Sequence, residues 1–233
     1  LSAIKTLVFE QKRLSMKELL EALDCNFEGK EDIQALLQGA PSFGNGDLEV
    51  DTLGRMLEKS ALDFTARYAG KNGVQPLGIR TTSVTANVPH GKFVGATPNG
   101  RKAWMPLSDG SSPSHGSDRN GPTAVLLSQY QSTNWNAANR ACRLLNMKMA
   151  PKTVEGEEGT KKLVDLIRAF INLRVWHLQM NIINRETLVA AQKDPQKYKN
   201  LVVRIAGYSA YFVDLSPDLQ NDLIDRTEQE NCD

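Results

Sequence analysis

Apolar positions at helical spacing dominate the first third of the chain, and β-branched, strand-like runs dominate its end. "LSAIKTLVFEQKRLS" reads as an amphipathic helix with charges throughout. "LSMKELLEAL" opens on Ser15, with Glu18 three residues on, which is the capping-box pattern. "NFEGKEDIQALLQ" restarts a helix after Gly29, and "APSFGNG" is a loop. "DLEVDTLGRMLEKSALDFTARY" predicts a long helix with Val50, Leu53, Leu57, Ala61 and Phe64 on one face. From about Gly70 the texture changes, and "GIRTTSVTANV" predicts a strand. "VGATPNGRKAWMPLSDGSSPSHGSDRNGPTA" follows, about thirty residues of Gly, Pro, Ser and Asp with few hydrophobes. That is too long for a plain connector. Trp104, Met105 and Leu107 are expected to anchor it as an ordered loop.

After the loop, "NAANRACRLLNMKM" predicts a helix with Ala138, Cys142, Leu145 and Met149 near one face. "GEEGTKKLVDLIRAFINL" predicts another, with acids in its first turn. "RVWHLQMNII" predicts a strand with Val175, His177, Gln179 and Asn181 on one side. "NRETLVAAQK" is a helix capped by Asn184. "LVVRIA" and "YSAYFVDL" are two extended arms around Gly207. "SPDLQNDLIDRTEQ" closes with a helix, Ser216 at its N-cap and Pro217 at its first position. Alternating strands and helices define an α/β class.

Composition adds exclusions. The chain has 233 residues, 40% hydrophobic and 24% charged, as in ordinary globular proteins. A net charge of +1 with scattered basic residues gives no case for nucleic acid. No apolar run approaches the roughly 20 residues a bilayer span needs, and no signal peptide is evident. Cys25, Cys142 and Cys232 are odd in number and far apart, which argues for a reducing cytosol rather than a disulfide framework. No CxxC or His/Cys cluster suggests a metal. "GATPNG" lacks the ending of a phosphate loop. No histidine shows the Ser/Asp spacing of a hydrolytic triad.

Gly207 is the anomaly. Glycine weakens a strand, so a lone glycine there usually marks a bulge or tight turn. Its context reads otherwise. "RIAGYSAYFVDL" resembles the radical-bearing signature of glycyl radical enzymes, the pyruvate formate-lyase superfamily. "TPNGRKAWMPLSDGSSPSHGSDRNGPTAV" resembles a second block of that superfamily, and "AIKTLVFEQKRLSMKELLEAL" with "LLQGAPSFGNGD" the helical stretch before it.

The resemblance implies the C-terminal half of a ten-stranded α/β barrel surrounded by helices, ending in a glycyl radical loop domain. It divides the chain into a helical tail at 1–70, a barrel strand and the start of the long loop at 71–105, and the glycyl radical domain at 106–233. It makes Gly207 the catalytic, radical-bearing residue. A Cα radical delocalises into both flanking amides, and a side chain would clash in the plane this requires. No cofactor is bound directly. A separate radical S-adenosylmethionine activating enzyme with an iron–sulfur cluster installs the radical, which passes to a thiol that attacks substrate. None of the three cysteines lies in the family's cysteine loop, so the chain, which begins at Leu1, is expected to be part of a larger subunit in an anaerobic cytoplasm. A short spare-part protein carrying a replacement glycyl domain is the alternative.

Within the family, the stretch from Asn136 to Thr227 resembles benzylsuccinate and alkylsuccinate synthases. That implies addition of a hydrocarbon to fumarate, with small accessory subunits and homodimerisation. An arylacetate decarboxylase, a diol dehydratase or a C–N lyase is the second reading, and a non-enzymatic α/β module with Gly207 as a bend the third. If "TSVTANVPHGK" is an inner barrel strand, Ala86, Val88 and His90 share a side, and Val88 and His90 wall the substrate cavity. His90 reads equally as a surface histidine. His115 is expected on loop backbone, His177 in a polar contact, and Arg101 and Lys102 as solvated loop charges.

Overall fold

The computed structural model describes residues 1–68, 71, 78–82, 85–137 and 139–229, with the side chain of Ala141 excepted. Ala138, Cys232, and Ser83 and Val84 of the expected strand lie outside the described residues. The chain opens on a π-helical stretch, Ile4–Glu10, where a regular helix was expected. Helix α1 (Met16–Asp24) starts at the capping box: Glu18 N–H donates to Ser15 Oγ at 3.2 Å, and Ser15 N–H to Glu18 Oε2 at 2.8 Å. Helix α2 (Glu31–Gln38) follows. Together these segments bury Leu7, Leu14, Leu19, Phe27 and Leu37 in one cluster.

Helix α3 (Leu48–Ala66) is capped by Asp47 and forms as predicted, but docks by another face. Leu57 and Phe64 are 58% and 56% exposed. The docked stripe is polar: Asp51, Arg55, Glu58, Leu62 and Thr65, spaced by three and four. Asn134 donates to the Arg55 carbonyl at 2.8 Å and to Glu58 Oε2 at 2.8 Å, and Arg143 pairs with Glu58 at 2.6 Å. Asn139 donates to the Leu62 carbonyl and to Thr65 Oγ1, both at 3.0 Å. Hydrophobicity alone selects the wrong stripe when a helix packs through hydrogen bonds.

The expected strand before the loop shrinks to β1 (Ile79–Thr81). Asn87–Gly91 is a short helix, α4, which corrects the reading of Val88 and His90 as alternating strand positions. Helix α5 (Gly121–Gln131) takes up the last four residues of the expected loop, with Pro122 in its first turn. It is buried on several sides, so it shows no amphipathic period. The helix expected over Asn136–Met149 is two strands, β2 (Arg140–Arg143) and β3 (Asn146–Met149). All four residues of β3 are buried, and a fully buried parallel strand cannot be told from a buried helix by period.

Helix α6 (Gly156–Asn172), strand β4 (Gln179–Ile182), helix α7 (Arg185–Lys193), strands β5 (Val202–Arg204) and β6 (Ser209–Tyr211), helix α8 (Pro217–Asp225) and strand β7 (Glu228–Gln229) complete the chain. The predicted caps are present: Asn184 accepts from Thr187 N–H at 3.0 Å and Ser216 from Leu219 N–H at 3.4 Å. β1 and β2 pair in parallel, as do β4, β3 and β7, with β3 central. Among the described residues only β5 and β6 pair antiparallel. Val125, Leu126, Leu145, Met147, Met149 and Leu166 form the core against this sheet, and Leu188, Val203, Phe212, Leu223 and Ile224 a second core under the hairpin. Among the described residues no helix is long and apolar enough to cross a membrane.

Asp51 is fully buried on α3, and no described donor meets either carboxylate oxygen in hydrogen-bond geometry. Burial raises its pKa to about 6, and the nearby Ser128 hydroxyl offsets this only in part. The folded state therefore holds a proton that the unfolded state releases nearer pH 3.8. Stability should fall as pH rises from about 4 to 6, then level off. Asp51→Asn is expected to flatten that slope and to stabilise the chain at pH 7.5 by ~1–3 kcal/mol, read from urea melts across pH.

Candidate active site

Gly207 sits at the tip of the β5–β6 hairpin. The ladder pairs Val202 with Tyr211, Val203 with Ala210 and Arg204 with Ser209. Ile205 N–H then donates to the Tyr208 carbonyl at 2.9 Å, leaving Ala206 and Gly207 as a two-residue turn. Gly207 has φ +84°, whereas Ala206 has no positive φ, the pattern of a type II turn with glycine at its second central position. Among the described residues a Cβ built on Gly207 would meet nothing within 4 Å, so close packing within them does not require glycine here. Ile205 and Ala206 are buried, whereas Gly207 and Tyr208 are exposed.

Strand β4 holds one side of the hairpin through side-chain amides. Asn181 brackets Arg204: its Oδ1 accepts from Arg204 N–H at 2.8 Å and its Nδ2 donates to the Arg204 carbonyl at 2.5 Å. Two residues back, Gln179 Oε1 accepts from Gly207 N–H at 2.6 Å. Strand alternation had put Gln179 and Asn181 on one side, and that side faces the glycine turn.

A buried charge cluster holds the other side. Arg226, directly after α8, donates to the Ile205 carbonyl at 3.2 Å and to Asp222 Oδ2 at 3.0 Å. Its guanidinium also lies 3.7 Å from Asp109. Asp109, Asp222 and Arg226 are 1%, 0% and 7% exposed, so these charges are satisfied by each other rather than by water. Asn146 donates to Asp109, and Asn87 to Asp222 at 2.9 Å. His115 Nε2 lies 3.6 Å from Asp222. Desolvation raises the Asp222 carboxyl pKa, with the Arg226 charge opposing it.

The long loop supplies Asp109 and His115, and so supports the hairpin from behind. Among the described residues it does not cover Gly207. Its anchors are polar. Ser111 N–H donates to the Leu144 carbonyl at 2.8 Å, and Ser112 Oγ accepts from Asn146 N–H at 3.1 Å. Asp118 accepts from Thr227 Oγ1 at 2.5 Å and Gln229 Nε2 at 2.6 Å. At Gly110, φ is +54° and a Cβ would come within 2.4 Å of the Leu144 carbonyl, so only glycine allows this approach. Trp104 and Met105, expected as anchors, are 65% and 47% exposed. Arg101 is neither solvated nor free: it donates to the carbonyls of Val94, Gly95, Lys102 and Met105 and shapes the turn.

Val88 is buried against Ile205 and Leu219, beneath the hairpin tip, while His90 is exposed at the end of α4. His115 faces Asp222 rather than loop backbone, and His177 Nδ1 is buried without a partner among the described residues. Cys25 follows α1, its thiol directed at the Ala22 and Glu28 carbonyls, and Cys142 lies in β2. Sequence reasoning missed Gln179, Arg226, Asp222 and Asp109. Only Gln179 carried a signal, through its place in the strand alternation.

A hairpin thus presents one glycine from a buried polar clamp, beside a parallel sheet. The family described as "Glycine radical" matches residues 107–213, and "Pyruvate formate lyase-like" matches residues 1–91. The chain belongs to the glycyl radical enzyme superfamily and has its pyruvate formate-lyase-like α/β barrel fold. It is 58% identical to the isethionate sulfite-lyase of Oleidesulfovibrio alaskensis, over 99% of this chain and 28% of that protein. Two solved structures superpose on it. One is the hydroxyproline dehydratase of Clostridioides difficile, with a TM-score of 0.89 and 38% identity over 98% of this chain and 29% of that one. The other is the B12-independent glycerol dehydratase of Clostridium butyricum, with a TM-score of 0.88 and 40% identity over the same shares. The chain thus spans less than a third of the length of these relatives. They are named for sulfite release and for dehydration, not for addition to fumarate, which overturns the expected benzylsuccinate-type reaction and its hydrocarbon and fumarate substrates.

Proposed function

We propose that this chain is the radical-storing segment of a glycyl radical lyase that eliminates a substituent from a small hydroxylated substrate, with isethionate as the first candidate. Gly207 stores the radical. A radical S-adenosylmethionine activating enzyme, which contributes the iron–sulfur cluster, takes one of its α-hydrogens. The Gly207 radical then takes the hydrogen of a thiol outside this segment, and the thiyl radical so formed takes hydrogen from the hydroxyl-bearing carbon of the substrate. A radical at that carbon weakens the bond from its neighbour to the leaving group. Departure of that group and return of the hydrogen convert isethionate to acetaldehyde and bisulfite, with all atoms accounted for.

The observation that carries this reading is the identity of 57–60% to four isethionate sulfite-lyases across nearly the whole segment, against 39–44% to three dehydratases. The test is to activate the full-length polypeptide anaerobically and offer isethionate, glycerol and trans-4-hydroxy-L-proline separately. Sulfite release from isethionate should exceed turnover of the other two by about a hundredfold or more. Dehydration of glycerol or hydroxyproline without sulfite release would replace this assignment with a dehydratase.

A further inference from the structure

We propose that Gln179 is a positioning residue for the radical, its side-chain carbonyl holding the Gly207 N–H through the change of backbone shape that radical formation demands. The inference rests on Gly207 being the radical site. A Cα radical conjugated with both amides needs its flanking peptide planes nearly coplanar. At φ +84° the preceding peptide plane stands roughly perpendicular to that arrangement. Loss of the α-hydrogen must therefore turn the N–Cα bond by roughly a quarter turn, which glycine permits and other residues resist.

The hairpin is built for such a turn at one point. Its base is fixed, because Asn181 grips Arg204 from both sides and the ladder closes at Arg204 and Ser209. Its tip has open space around Gly207. The Gly207 N–H is held by a side-chain oxygen, not by a backbone carbonyl of the ladder. A carbonyl on a rotatable side chain can follow the moving nitrogen, whereas a ladder carbonyl cannot. Accepting a hydrogen bond from this N–H also raises the electron donation of the amide nitrogen to the electron-poor centre.

A second observation assigns Gln179 to this task. The residue is 6% exposed, and its Nε2 has no hydrogen-bond partner among the described residues. An unmet buried donor is costly. The side chain is thus oriented by its bond to Gly207 and not by the needs of its own amide.

The experiment compares the full-length, anaerobically activated protein with its Gln179→Leu and Gln179→Glu variants, each labelled with ¹⁵N-glycine. Spin per subunit, nitrogen hyperfine coupling, radical decay rate and melting temperature are measured. Gln179→Leu should lower the radical yield and speed its decay by about five- to tenfold, the value of one hydrogen bond, and should shift the nitrogen coupling. Gln179→Glu keeps an acceptor and should recover most of the yield. A purely structural role would move the melting temperature but not the coupling. If Gln179→Leu matches the unsubstituted protein in yield, coupling and decay, the inference is wrong while the radical assignment stands. If the unsubstituted protein itself gives no spin signal, both fall together.

Discussion

Replacing Gly207 with alanine should abolish turnover while leaving a folded protein. Its φ of +84° costs an L-residue ~1–2 kcal/mol, and no neighbour lies within 4 Å of the added methyl. For a chain of this size that predicts a melting temperature lower by about 2–8 °C. The chemical effect is far larger. The variant should give no paramagnetic signal after anaerobic activation and no product above background. Exposure of the activated unsubstituted protein to air should cut the backbone at Gly207 and release the C-terminal fragment that begins at Tyr208 on a denaturing gel. The alanine variant should show no such fragment. If Gly207 serves only to make a bend, the variant loses the same stability but keeps its activity, and that result would remove the radical assignment.

Arg226→Met should strongly destabilise the fold. It leaves Asp109 and Asp222 buried without a cation and removes a donor from the Ile205 carbonyl. Breaking a buried pair in this way costs about 3–5 kcal/mol. The deficit should depend on pH with a definite sign. Asp222 already has a raised folded pKa, and loss of the guanidinium raises it further. A carboxyl whose folded pKa exceeds its unfolded value favours the fold at low pH and loses that favour as pH rises through the folded pKa. The gap between variant and unsubstituted protein, measured by urea unfolding at pH 5 and pH 8, should therefore be wider at pH 8. A gap independent of pH would mean that Arg226 acts by packing alone. Arg226→Lys keeps the charge but cannot bridge three acceptors in one plane, so it should recover only part of the loss.

The helices were legible in the sequence wherever a cap and an apolar stripe coincided, as in α1, α7 and α8. They were misread where burial is polar or all-round. The docked stripe of α3 consists of Asp51, Arg55, Glu58, Leu62 and Thr65, which no hydropathy pattern selects. Helix α5 and strand β3 are enclosed on several sides, so period carries little information there. The motif around Gly207 was legible as a family signature, in agreement with the family match over residues 107–213. Its clamp was not, since Asp109 and Arg226 lie more than a hundred positions apart and meet only through the fold. The reaction was misassigned for a related reason. The chain spans less than a third of relatives that are named for different reactions, so its residues report the superfamily better than the compound transformed.

Strand β7 returns the chain to the edge of the parallel sheet, beside its central strand β3, only after the hairpin and α8 have been laid down. The described residues downstream of Gly207 are thereby stitched back into the body of the molecule, by β6 on β5, by Thr227 and Gln229 on Asp118, and by Lys148 Nζ on the Ile224 carbonyl at 2.9 Å. A nick at the glycine would consequently be concealed. The severed tail would stay seated, the particle would elute at its usual size, and an oxygen-damaged enzyme would pass for an intact one until boiled in detergent.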